Sequence, residues 1–136
     1  MRKAEEMYNY CVQNDFGQGL SKKWGIKHFG VIEKNLLPDE KVLMTFIGLH
    51  NYESMTKHDG NYAYAITSKR VLMGQKKVIG ENLKVVLLKH LNDVTASTGL
   101  VAGTITFDTI KETFNVMVGS KQASNIMTKI HEVVFS

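Results

Sequence analysis

The stretch AYAITSKRVLMGQKK, Ala63 to Lys77, holds two apolar runs separated only by Ser68 and Lys69. Residues from Asn61 to Thr67 and from Arg70 to Gln75 follow a period of two, the repeat of a strand whose successive side chains point to opposite faces. Two residues between such runs predict a tight β-hairpin, with Arg70 directly after its turn. A guanidinium at a strand start can hold carbonyls or a carboxylate across that turn, so Arg70 is expected to be a structural brace.

The same period runs through most of the chain beyond Pro38. Lys41 to His50 precedes the hairpin as a strand, and Glu81 to Leu88, Asn92 to Thr98, Thr104 to Asp108 and Thr113 to Val118 follow it. Seven strands result. Gly99, Gly103 and the polar run Thr109-Ile110-Lys111-Glu112 supply turns. Alternation places Ile105 and Phe107, Tyr62, Tyr64 and Ile66, and Phe114, Val116 and Val118 on one apolar face. The expectation is one core, enclosed by a strongly bent antiparallel sheet that needs a cap where its halves splay. The helix predicted from Ser120, with Ala123, Ile126, Met127, Ile130 and Val134 on one face and Lys129 and His131 toward its C-terminus, is that cap.

Before Pro38 the period is helical. Met7, Tyr8, Cys11 and Val12 predict a first helix ended by Asn14-Asp15-Phe16-Gly17. A second starts at Ser21 as N-cap and carries Trp24, His28, Val31 and Ile32 on one stripe beside Phe29 and Leu36. The proline forbids its continuation. The chain therefore divides into an N-terminal helical extension, 1–36, and a β-rich domain, 37–136. His50 to Gly60 is longer than an ordinary hairpin connection and is the first place to look for a site.

At 136 residues, 43% hydrophobic and 22% charged, the chain suits one folded domain, neither disordered nor repetitive. A lone cysteine, Cys11, forms no internal disulfide, and the acidic Glu5 and Glu6 interrupt any leader-like start, so a reducing cytoplasm is expected. No apolar run reaches the ~20 residues of a membrane-spanning helix. A net charge of +4 favours anionic partners, but 13 acidic residues are interspersed among 17 basic ones, and nucleic acid is not an expected partner.

Leu37-Pro38-Asp39-Glu40-Lys41-Val42, then Ala65-Ile66-Thr67-Ser68-Lys69-Arg70-Val71-Leu72, then Leu91-Asn92-Asp93-Val94 stand in order along this scaffold. They are similar to the L-x-P-x-E-x-V, x-L-T-[ND]-K-R-[LIV] and [IL]-x-D-[IV] motifs of the bacterial YokE-like PH (pleckstrin-homology-like) domains, with Ser68 where Asn or Asp is commoner. The resemblance runs from about Leu36 to Phe135. It implies a mainly β fold, a PH-like seven-stranded antiparallel bent sheet or partly open barrel capped by a C-terminal α-helix. It also implies an interaction or assembly module, with a protein partner or a second copy of the chain as what it binds.

Eukaryotic PH domains carry basic residues around the splayed end of the barrel. By that likeness Lys57, Lys69, Arg70, Lys76 and Lys77 form a candidate rim for an anionic membrane surface or a phosphorylated small ligand. The phosphoinositide pattern K-x(n)-[KR]-x-R would need a basic residue at Ser68, and Glu53 and Asp59 dilute the charge. In the second helix, Trp24, Phe29 and Ile32 beside Lys22, Lys23, Lys27 and Lys34 form a candidate interaction or interfacial face, with packing onto the barrel the more ordinary use.

Catalytic chemistry finds little support. Gly17-Gln18-Gly19-Leu20-Ser21-Lys22 lacks the third glycine of a dinucleotide loop and no strand precedes it; Gly119-Ser120-Lys121 lacks the order of a phosphate loop. The five histidines are scattered. His50 and His58 share the long connection and read as solvated side chains rather than metal ligands. No enzyme activity, metal or cofactor is expected.

Overall fold

The computed structural model describes residues 1–17 and 20–136. Gln18 and Gly19, within the glycine-containing run before the second helix, lie outside the described residues. Three helices and seven strands follow in the order α1 (Ala4–Asn14), α2 (Lys22–Glu33), β1 (Val42–His50), β2 (Asn61–Thr67), β3 (Arg70–Lys76), β4 (Glu81–Leu87), β5 (Leu91–Thr98), β6 (Ala102–Thr109), β7 (Thr113–Gly119) and α3 (Ser120–Val134). A short 3₁₀ turn, Leu88–His90, links β4 to β5. Ser21 caps α2 through Trp24 N–H, and Asp15 ends α1 in the left-handed conformation. No helix among the described residues is long and apolar enough to cross a membrane.

All seven strands join one antiparallel sheet in the order β4-β3-β2-β1-β7-β6-β5. β1 and β2 pair along most of their length, whereas β1 meets β7 only through Leu49–Met117 and His50–Val116. The sheet bends at that short seam. Gly48 permits the approach: a Cβ there would lie 2.4 Å from Val116 Cγ1 and 2.7 Å from the Met117 carbonyl.

Inside the bend, Phe46 stacks on Tyr64 at 4.6 Å and Phe107 on Phe114 at 4.8 Å. Ile126 and Ile130 of α3 are fully buried against this cluster. The C-terminal helix is the expected cap.

The expectation of a single core needs correction. A second buried cluster lies on the other face of β1, β2 and β3, where Met7 and Cys11 of α1 and Phe29 and Ile32 of α2 cover Val42, Ile47, Ala63, Ala65 and Leu72. β2 therefore buries both faces: Tyr62, Tyr64 and Ile66 fill the barrel, while Ala63 and Ala65 meet the helices. Small side chains let α2 lie close. At Gly74 a Cβ would stand 2.8 Å from the His28 carbonyl and 3.0 Å from Ile32 Cγ1.

Candidate interaction surface

The residues singled out by sequence are distributed by the hairpin register. Ala63 pairs with Gly74 and Ile66 with Val71, so Lys69 and Arg70 sit at the β2–β3 turn while Lys76 and Lys77 occupy the far end of β3. That far end adjoins the β1–β2 loop, because Gln75 Nε2 donates to the Asp59 carbonyl at 2.9 Å. Lys57 belongs to this loop. The candidate basic rim is thus divided between opposite ends of the sheet, Lys57, Lys76 and Lys77 at one and Lys69 and Arg70 at the other.

At the turn end the two cations are engaged. Lys69 Nζ contacts Asp39 Oδ2 at 2.9 Å. Arg70 donates from Nε to Glu40 Oε2 at 2.9 Å and from Nη2 to Glu40 Oε1 at 2.7 Å and the Asn35 carbonyl at 2.9 Å. Glu40 is buried, and it also accepts from Thr67 Oγ1 at 2.5 Å and Leu37 N–H at 3.0 Å. Burial pushes its carboxyl up, but the hydrogen bonds from Arg70, Thr67 and Leu37 outweigh this and hold it down at about 2. Arg2 completes the joint by donating to the Glu40 and Leu37 carbonyls. This arrangement fastens the chain before β1 to the hairpin turn, and Arg70 is the brace its position suggested.

The long β1–β2 connection is built from its own contacts. Lys57 meets Glu53 at 3.0 Å, Asn51 Nδ2 donates to Asp59 Oδ2 at 2.8 Å, and Tyr52 N–H reaches across to Asn115 Oδ1 at 2.7 Å. A cleft of about 510 Å³ opens between this loop and β6 and β7. Its ionisable lining, Glu53, Lys57, His58 and Asp59, carries both signs of charge.

His50 departs from the expectation of a solvated histidine. It closes β1 inside the barrel, where Nδ1 lies 2.8 Å from the Tyr64 hydroxyl and the ring packs on Tyr62 and Phe114. Burial, with the nearby Lys84 charge, pushes it down to about 4, against a weaker opposing pull from Asp59. His58 accepts from Gly60 N–H at 2.9 Å. The tightly packed strand end, invisible in a polar loop sequence, is the reason for the difference.

The candidate helix face needs correction as well. Phe29 and Ile32 are fully buried against the sheet, which removes them from any contact with a partner. Trp24 remains half-buried at the rim of α2 with Lys27 Nζ 4.6 Å from its ring centre.

The surface that sequence reasoning did not single out is β4. It ends the sheet order, and Leu83, Val85 and Leu87 stand along it 37%, 42% and 37% exposed. They project on the helix-covered side, since Val85 pairs with Leu72 and Leu83 with Gly74, but they lie outside the cluster that α1 and α2 bury. At the β3–β4 tip Val78 and Ile79 are 90% and 89% exposed beside Lys76 and Lys77. Near Leu87 the edge borders a groove of about 310 Å³ whose other wall includes His90, Lys111 and Glu112. Alternating Leu83, Val85 and Leu87 read like any buried strand face; only strand order shows that they lie at an edge.

A family model described as Bacterial PH domain matches residues 36–132. Among solved structures, the DH/PH domains of p115-RhoGEF superpose with a TM-score of 0.52 at 10% identity, covering 98% of this chain and 41% of that one. An N-terminally truncated linker-DH/PH form of p115-RhoGEF gives 0.50 at 10% identity, with 97% and 41% covered. The present chain therefore spans about two fifths of the length of those chains, and at such identity the likeness is one of fold. No curated protein matches the sequence.

Proposed function

We propose that this chain, which belongs to the bacterial PH domain family, is a non-catalytic binding module that engages a protein partner along the outer edge of β4. The order and spacing of the Leu37–Val42, Ala65–Leu72 and Leu91–Val94 motifs support placing it with the YokE-like members. The observation that carries the functional reading is an apolar strand, Leu83, Val85 and Leu87, half-exposed at the end of the sheet order. Such an edge can accept another strand, main-chain hydrogen bonds giving affinity and the alternate side chains selectivity. A photocrosslinking residue at position 85, used in the native cell, is expected to capture protein. Absence of any crosslink there, with efficient capture from a control position on α3, would remove the reading.

A second reading rests on the β3–β4 tip, where Val78 and Ile79 stand almost fully exposed between Lys77 and Gly80, with Lys57 and Lys76 at the same end. Aliphatic side chains beside lysines suit an anionic bilayer surface. Sedimentation with phosphatidylserine vesicles is expected at low salt and to weaken in Lys57→Ala, Lys76→Ala and Lys77→Ala combined. Recovery of the protein only in the supernatant at low salt excludes this use.

A further inference from the structure

We propose that the partner at β4 is a second copy of the chain, joined about a two-fold axis through Val85 so that the two β4 strands pair antiparallel. The inference rests on the reading of β4 as a protein-binding edge and names its occupant and register.

The phase of the β3–β4 ladder decides which backbone groups are free to pair. Lys77 N–H donates to the Gly80 carbonyl at 3.0 Å and Leu88 N–H to the Lys69 carbonyl at 3.0 Å. Alternation between these fixed points turns the N–H and C=O groups of Asn82, Lys84 and Val86 toward β3. Those of Glu81, Leu83, Val85 and Leu87 consequently point outward, where β4 has no strand partner among the described residues. Three of these four residues, Leu83, Val85 and Leu87, also carry the half-exposed apolar side chains.

Self-pairing about a two-fold axis has few registers that join outward groups to outward groups, and charge and strand length separate them. Centring on Lys84 sets that ammonium opposite the partner's Lys84, an arrangement that like charges disfavour. Centring on Val86 carries Leu83 past the end of the partner's β4 and shortens the ladder. With Val85 on the axis, Val85 meets the partner's Val85 and Leu83 meets the partner's Leu87, while Glu81 comes to the partner's 3₁₀ turn, Leu88–His90, which carries Lys89. The strand pairs with outward backbone groups are then all apolar, and each end sets a carboxylate near a turn that carries a lysine. Lys34 Nζ already donates to Glu81 Oε1 at 2.6 Å, leaving the second carboxylate oxygen for the lysine across the interface. Lys84, projecting on the barrel side, guards against slippage.

Single cysteines read this register in the full chain. Native Cys11 does not interfere, because it is 1% exposed and burial pushes its thiol up to about 12. Opposed residues of a hydrogen-bonded antiparallel pair lie about 5.5 Å apart between Cα atoms, within disulfide reach. On mild oxidation Val85→Cys is expected to give a covalent dimer by itself. Leu83→Cys and Leu87→Cys are expected to do so only when mixed. Sedimentation equilibrium of the unmodified chain should show reversible dimer, with dissociation strengthened on the order of tenfold or more in Val85→Lys, whose folding is checked by circular dichroism. Monomer mass at every concentration, or Leu83→Cys dimers forming alone as readily as Val85→Cys dimers, overturns the proposal. If photocrosslinking at position 85 captures a different protein while the chain sediments as monomer, the edge reading stands and self-pairing falls. If nothing is captured and only monomer sediments, both fall.

Discussion

Replacing Arg70 with alanine is expected to lower the unfolding free energy by about 3–5 kcal/mol, the cost of leaving a buried charge without its partner. Glu40 would keep its burial and lose the two guanidinium hydrogen bonds, at 2.7 and 2.9 Å, that offset it. Lysine at position 70 should recover only part, because an ammonium does not reproduce the planar two-pronged contact together with the bond to the Asn35 carbonyl. Removing both charges, Glu40→Leu with Arg70→Met, should cost less than Arg70→Ala alone. Urea unfolding monitored by circular dichroism measures all three. A loss below about 1 kcal/mol in Arg70→Ala would assign the pair the weight of a surface ion pair and refute the bracing role.

The same carboxylate sets a low-pH limit. Glu40 is held at about 2 in the fold against an ordinary value of 4.5, so its contribution is fully present above 4.5 and is lost as pH falls through about 2. The difference corresponds to about 3 kcal/mol.

A separate loss should begin at higher pH, and His50 is its main source. Its folded value of about 4 lies below the ordinary histidine value of 6.5, so between these the unfolded chain takes up a proton that the native chain refuses. Stability is therefore unaffected above 6.5 and falls as pH drops toward 4, by about 3 kcal/mol in total. The charged groups that act on the ring are Lys84, which depresses it further, and Asp59, which opposes. His28, also shifted down by burial and accepting from Lys76 N–H at 2.8 Å, adds a loss of the same sign. His50→Gln is expected to lose most of the pH dependence of the urea midpoint between 6.5 and 4. It should also be less stable at pH 7 by about 1–3 kcal/mol if the buried Tyr64 hydroxyl is left without a partner. An unchanged slope in His50→Gln would place the acid sensitivity elsewhere.

The legibility of these features follows from the range of the interactions involved. The hairpin at Ser68-Lys69 is local: two residues between period-two runs leave little choice of turn, and the strands Asn61–Thr67 and Arg70–Lys76 lie where that pattern puts them. Ile126 and Ile130 were similarly readable, because an amphipathic helix must bury its apolar stripe. Arg70 could be read as a brace from its place after the turn, although its carboxylate, Glu40, is 30 residues away. Ala63 and Ala65 were harder, since small side chains do not announce a buried face until helices are seen to lie against them. The candidate basic rim was drawn from residues near in sequence, and the register, which turns β3 away from the hairpin turn, separates them.

By itself the sequence determined the strands, the helices, the tight hairpin and the terminal cap, because each depends on periodicity and turn chemistry within a few residues. Only the tertiary structure decided that the sheet has two apolar faces, that His50 is enclosed, and that Leu83, Val85 and Leu87 stand at an open edge. Those properties depend on which strands are neighbours and what covers them, and a repeat of two is the same in a central strand as at the margin of a sheet.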